Sequence, residues 1–160
     1  MMKHPTVPFI ALLALAATAP LAAPARAQTA ARAPRPLALD DYYAIKAISD
    51  VEVSPDGRYA VYVVREIDRE KDKRRGSLWR VAIGGGEPQR LTQGAGSDSH
   101  PRFSPDGRFL AFLTDRAEKT QVFALPSSGG EAFQVTASKD GVLDFVWAPD
   151  SRRIALVAAA

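Results

Sequence analysis

The chain has 160 residues, a formal net charge of +3 and no cysteine. It therefore holds no disulfide framework, no thiolate nucleophile and no cysteine-based zinc site, and its stability rests on packing. Lys3 and Arg26 lie in an amino-terminal stretch without acidic residues; beyond it, basic and acidic side chains nearly balance. That balance excludes a charge-driven nucleic-acid or membrane-surface binder.

Residues 1–27 have the layout of a secretory signal peptide. Lys3 and His4 precede an apolar run from Val7 to Ala19, and Ala25-Arg26-Ala27 gives a small-x-small cleavage site before Gln28. The run is too short for a membrane span, which takes roughly 20 apolar residues, and Pro20 interrupts it. The expected location is exported, periplasmic or secreted, with no membrane attachment after cleavage. Residues 28–36 are rich in Ala, Arg and Pro and read as a disordered linker. Residues 37–48 follow, with Tyr42, Ile45 and Ile48 at helical spacing and Asp40 and Asp41 as candidate N-caps. A short amphipathic helix is predicted there.

From residue 49 onward one phrase recurs. Ser54-Pro55-Asp56-Gly57-Arg58-Tyr59 returns as Ser104-Pro105-Asp106-Gly107-Arg108-Phe109, and then as Ala148-Pro149-Asp150-Ser151-Arg152-Arg153. Proline presets φ in such a turn, aspartate bonds the nearby backbone, and glycine takes the left-handed conformation without steric cost. Ser151 stands where the other copies have glycine, which predicts a looser or different third turn, since a left-handed L-residue costs about 1–2 kcal/mol.

Each turn joins a short first strand (Val51–Val53, Pro101–Phe103, Asp144–Trp147) to a second (Tyr59–Val64, Phe109–Thr114, Ile154–Ala158). The second strands are almost continuously apolar, as expected of strands covered on both faces. A third strand (Leu78–Ile83, Gln121–Leu125) leads through a glycine turn to a fourth at Arg90-Leu91-Thr92 or Gln134-Val135-Thr136. Trp79 to Phe123 and Thr92 to Thr136 are both steps of 44 residues, so the repeat spans the whole unit. The charged run Arg65–Ser77 carries interleaved signs and reads as a long solvated hairpin loop between second and third strands. These units predict an all-β fold, a partial β-propeller of about three four-stranded blades at 51–92, 101–136 and 144–160, the last incomplete. At about 45 residues per blade, a closed ring of four to eight needs roughly 180 to 360 residues, so the sequence reads as a fragment of a longer protein.

The segment Leu39-Asp40-Asp41-Tyr42-Tyr43-Ala44-Ile45-Lys46-Ala47-Ile48-Ser49-Asp50 running into Val53-Ser54-Pro55-Asp56-Gly57 carries a more specific resemblance, together with Ser77-Leu78-Trp79, Arg90-Leu91-Thr92 and Pro101-Arg102-Phe103-Ser104-Pro105-Asp106-Gly107. Over about residues 37 to 158 the chain resembles the amino-terminal propeller of the prolyl oligopeptidase family of serine peptidases, in particular exported bacterial dipeptidyl and acylaminoacyl peptidases. The Ser-Pro-Asp-Gly phrase by itself is shared with TolB-type periplasmic propellers. The resemblance implies a propeller that restricts which peptides reach a carboxy-terminal α/β-hydrolase domain, a domain this chain lacks. The alternative is a TolB-like propeller module for protein–protein binding. The glutamate pair with which dipeptidyl-peptidase relatives hold the substrate amine has no counterpart, because no two glutamates are adjacent.

No catalytic, cofactor-binding or metal-binding residue is assigned. There is no Gly-x-Ser-x-Gly elbow. A Ser-His-Asp triad would have to use His100, the sole histidine after the signal, and that residue reads instead as a polar strand-entry position equivalent to Asp50 and Asp144. Asp56, Asp106 and Asp150 sit one per turn and read as structural. Gly84–Gly86 lacks the Lys-Ser/Thr of a phosphate loop and reads as a hairpin turn. Trp79, Phe123 and Trp147 read as inter-blade core.

Overall fold

The computed structural model describes residues 35–94 and 96–159. The expected signal peptide and nearly all of the expected linker lie outside the described residues. A six-residue helix, α1 (Leu39–Ala44), precedes ten strands. The first sheet is β1 (Ala47–Val53), β2 (Tyr59–Asp68), β3 (Lys73–Ala82) and β4 (Gln89–Arg90). The second is β5 (Asp98–Phe103), β6 (Phe109–Thr114), β7 (Gln121–Pro126) and β8 (Phe133–Gln134). A two-stranded sheet follows, β9 (Val142–Trp147) and β10 (Ile154–Ala158). Every pairing is antiparallel between consecutive strands.

The helix is shorter than the sequence suggests. Ile45 is already extended (φ −69°, ψ 123°) and Ile48 pairs with Val64 in β1. Neither acidic residue is the N-cap. Ala38 holds that position, and its N–H donates to the Asp41 carboxylate one turn on, at 2.8 Å. Asp40 instead accepts from Arg69 at 2.8 Å.

The expected hairpin loop at 65–77 is a hairpin whose arms stay paired as a β-ribbon. β2 and β3 stay paired to Asp68↔Lys73 around a tight turn, with Asp72 at φ 47°. The interleaved charges that read as a solvated loop are cross-strand partners: Glu66 faces Arg75 and Asp68 faces Lys73. Opposite charges directly across a strand pair stabilise it by a few tenths of a kcal/mol, up to about 1. The ribbon also meets the lead-in segment. Glu66 lies 3.5 Å from Lys46, and the Arg69 guanidinium sits 5.2 Å from the Tyr43 ring centre.

Two apolar clusters hold the sheets. Val61, Val63 and Leu78 of the first sheet meet Leu110, Phe112 and Leu125 of the second. On the other face of the second sheet, Ala111, Leu113 and Val122 meet Val142 and Phe145 of the third. Full burial of such side chains contributes about 1.5–3 kcal/mol each. β6 therefore alternates its side chains between two neighbours, and both faces are covered, as its unbroken apolar run predicts. β2 has one face buried, at Val61 and Val63, and β10 is largely exposed. Their opposite faces have no covering sheet among the described residues.

Candidate functional site

The Ser-Pro-Asp-Gly turns are closed by their own side chains. Ser54 Oγ donates to Asp56 Oδ1 at 2.6 Å and accepts from the Tyr59 N–H at 3.0 Å. Asp56 Oδ1 also accepts from the Arg58 N–H at 3.1 Å. Ser104, Asp106, Phe109 and Arg108 repeat this pattern. The bond from the Ser104 hydroxyl, then that from the Arg108 amide, lowers the Asp106 carboxyl to about 2; Asp56 is lowered for the same two reasons, by Ser54 and Arg58. Both carboxylates are committed to their turns. The role of the serines is a feature that sequence reading missed. Their hydroxyls are buried and replace strand hydrogen bonds at the mouth of the turn.

The third turn has the same geometry as the other two. Ser151 is left-handed at φ 58°, beside 69° and 70° at Gly57 and Gly107. Its N–H bonds to the Ala148 carbonyl at 3.0 Å, as Gly57 bonds to Ser54. Its Oγ accepts from the Asp106 N–H at 3.0 Å, linking one turn to the next. The turn is not looser, because the side chain whose Cβ strains the left-handed backbone also carries a hydroxyl that makes an inter-blade bond glycine lacks.

His100 sits in a β-bulge rather than at a plain strand start. The β5–β6 register shifts between Ser99 and Arg102, and His100 has φ 54°; Asp50 occupies the same place in β1 with φ 51°. Bulges re-aim side chains. His100 Nε2 lies 2.9 Å from Asp144 Oδ1, and its ring packs edge-on to Phe145 at 5.3 Å. It joins the second blade to the third. Among the described residues no group of three or more His, Asp or Glu side chains converges to hold a metal.

Phe123 and Trp147 pack against the two clusters, and Trp147 Nε1 donates to the Arg102 carbonyl at 3.1 Å. Trp79 does not join either cluster. It is on the face of β3 turned away from the second sheet, half-buried, with Nε1 donating to Ser77 Oγ. Gly84–Gly86 forms a hairpin turn: the Gly85 N–H bonds to the Ala82 carbonyl at 3.0 Å, and Gly85 and Gly86 have φ 100° and 130°.

A concavity lies between the first two sheets, beside the turns. It encloses about 810 Å³. Val61, Leu91, Phe103, Leu110 and Leu125 give it an apolar floor. Arg80 lines it from β3, whereas Arg90, paired with Trp79, turns its side chain to the other face of the sheet. Arg80 stacks on Tyr59, 4.8 Å from the ring centre, and its Nη2 donates to Gln89 Oε1 at 2.9 Å. Arg90 Nε donates to the Thr92 carbonyl at 2.8 Å. The corresponding cleft between the second and third sheets encloses about 410 Å³.

Four-stranded antiparallel meanders stacked face to face, each hiding one face of the next, define a segment of a β-propeller. The chain belongs to the TolB beta propeller domain family, whose model matches residues 47–160. It is 37% identical over 118 residues to the uncharacterized peptidase YuxL of Bacillus subtilis, a match covering 72% of this chain and 18% of that protein. It is 38% identical over 56 residues to the Tol-Pal system protein TolB of Bordetella pertussis, covering 34% of this chain and 13% of that one. Its fold matches Pyrococcus horikoshii acylaminoacyl peptidase with a TM-score of 0.61 at 23% identity, over 74% of this chain and 18% of that structure. The chain thus spans about a fifth of the length of the peptidase relatives it matches.

Proposed function

We propose that this chain is the opening part of a substrate-restricting propeller in an exported serine peptidase acting on peptides. The observation that carries this reading is the length of the match to the B. subtilis peptidase, 118 residues against 56 for the TolB protein. That match covers 72% of the chain, where a shared turn phrase would cover only a few residues. The one histidine of the described residues, His100, pairs with Asp144 across a blade junction and meets no serine hydroxyl. The nucleophile and its base would then belong to an α/β-hydrolase domain following the propeller, and the propeller would act by limiting access.

The test uses the complete gene product. Downstream coding sequence should carry a Gly-x-Ser-x-Gly segment followed by Asp and His. The purified protein should hydrolyse short peptide anilides and be silenced by a serine-directed fluorophosphonate. Further blades ending in a stop codon, with no hydrolysis, would overturn this reading in favour of a binding module of the TolB kind.

A further inference from the structure

We propose that Asp140-Gly141 is a spontaneous modification site, where the chain converts to isoaspartate and so loosens β9, the first strand of the third blade. The reaction needs only water. The Gly141 amide nitrogen attacks Asp140 Cγ. The N–Cγ bond forms, and a carboxyl oxygen leaves as water with the amide proton. A second water then opens the succinimide ring. Attack at Cγ breaks the new bond and restores aspartate. Attack at the α-carbonyl breaks the original peptide bond, and the chain then runs on through Cγ. A small following residue, a protonated carboxyl, and a carboxyl and amide free to meet all favour the first step. Glycine meets the first condition best, having no side chain to crowd the attacking nitrogen.

The repeat supplies internal controls. Aspartate precedes glycine or serine at Asp56, Asp98, Asp106, Asp140 and Asp150. All but Asp140 are held. Asp56 and Asp106 accept from a serine hydroxyl at 2.6 Å and an arginine N–H at 3.1 Å. Hydrogen bonds to a carboxylate favour its charged form; those from Ser104 and Arg108 lower Asp106 to about 2, and those from Ser54 and Arg58 lower Asp56. Asp150 accepts from the Arg152 N–H at 3.0 Å and from Arg153, and is lowered as well. Asp98 is buried, with both oxygens on Arg116. The turn glycines are restrained too, the Gly57 and Gly107 N–H groups each donating to a carbonyl at 2.8 Å.

Asp140 differs on each count. It is exposed, and its carboxylate has no hydrogen bond or ion pair among the described residues. The Gly141 N–H reaches the Ser138 carbonyl only at 3.4 Å. The pair also sits where a change of backbone is felt. The Gly141 carbonyl accepts from Ser138 Oγ at 3.1 Å and from the Ala159 N–H at 3.3 Å. The Val142 N–H donates to the Thr120 carbonyl at 2.8 Å, and the Val142 side chain belongs to the cluster joining the second and third sheets. Isoaspartate inserts one carbon, about 1.5 Å of chain, directly ahead of these bonds.

Ageing the full chain in heavy-oxygen water at mildly acidic pH tests this assignment. Each ring opening fixes one heavy oxygen. Asp-N protease, which cuts before aspartate but not before isoaspartate, reads the position. A carboxyl held at about 2 rather than 3.8 is protonated more than about tenfold less often. Conversion at residue 140 should therefore outpace conversion at residue 106 by at least about tenfold. Ser54→Ala loosens Asp56 and should raise conversion at residue 56 while residue 140 keeps its rate. Asp140→Glu, whose longer side chain does not close the five-membered ring, should abolish heavy-oxygen uptake at this position. Should Ser54→Ala unfold, Asp140→Glu and the unaltered chain carry the test. The converted chain should exchange its Val142 amide with deuterium faster than the fresh chain. Equal conversion at residues 106 and 140, none at 140, or a Val142 amide unmoved by conversion would overturn the proposal.

Discussion

Ser151 shows how one atom reverses a local expectation. The left-handed backbone costs an L-residue about 1–2 kcal/mol, yet the hydroxyl accepts the Asp106 amide of the preceding turn. Ser151→Ala keeps the strain and removes the bond, so it should destabilise by about 1 kcal/mol. Ser151→Gly removes both and should be close to neutral. Urea denaturation of the two variants checks this ordering; an unchanged Ser151→Ala beside a stabilised Ser151→Gly would mean that the bond carries no weight. The turn phrase was readable because proline, aspartate and glycine each act within a few residues. The Ser151 bond was not, because its partner lies 45 positions away. Arg80 was passed over for a different reason: it looks like an ordinary surface charge until its 44-residue counterpart, Ala124, is set beside it.

At the scale of strands, the fourth one of each of the first two blades is only two residues long, and a threonine closes it. The Leu78 carbonyl accepts from the Leu91 N–H, and the Leu78 N–H donates to Thr92 Oγ1 at 3.0 Å instead of to a further backbone carbonyl. Val122, Val135 and Thr136 repeat the arrangement. Replacing either threonine with valine preserves shape but strands an amide, at a cost of about 1–3 kcal/mol when buried. Thr92 is 3% exposed and Thr136 is half-buried, so Thr92→Val should cost more. Faster hydrogen exchange at the Leu78 amide, with a lower denaturation midpoint, is the expected result; unchanged exchange would contradict it. The periodicity of apolar residues located the strand centres, but strand ends escaped it. The β1 and β5 bulges depend on φ at Asp50 and His100, which composition does not encode. The β2–β3 ribbon escaped because charge alternation in a strand pair and in a loop looks the same without knowledge of register.

Across the whole molecule, cohesion passes through the second sheet. β6 gives Leu110 and Phe112 to one cluster and Ala111 and Leu113 to the other, so four consecutive residues serve both inter-sheet contacts. This part of the architecture was legible in advance, since an unbroken apolar strand makes sense only between two covers. The clasp between the ribbon and α1 is built on another principle. α1 buries no residue; it is held to the ribbon by Arg69 with Asp40 and Tyr43, and next to it by Lys46 with Glu66. Electrolyte therefore acts on the two parts differently. Raising sodium chloride toward 1 M shrinks the screening length from about 10 Å at 0.1 M to about 3 Å, which weakens exposed ion pairs and leaves oily contacts intact. The α1 amides should then exchange with deuterium more quickly while the main melting transition stays where it was. A tether of this kind makes the front of the chain responsive to the ionic make-up of its surroundings, independently of the body it is fastened to.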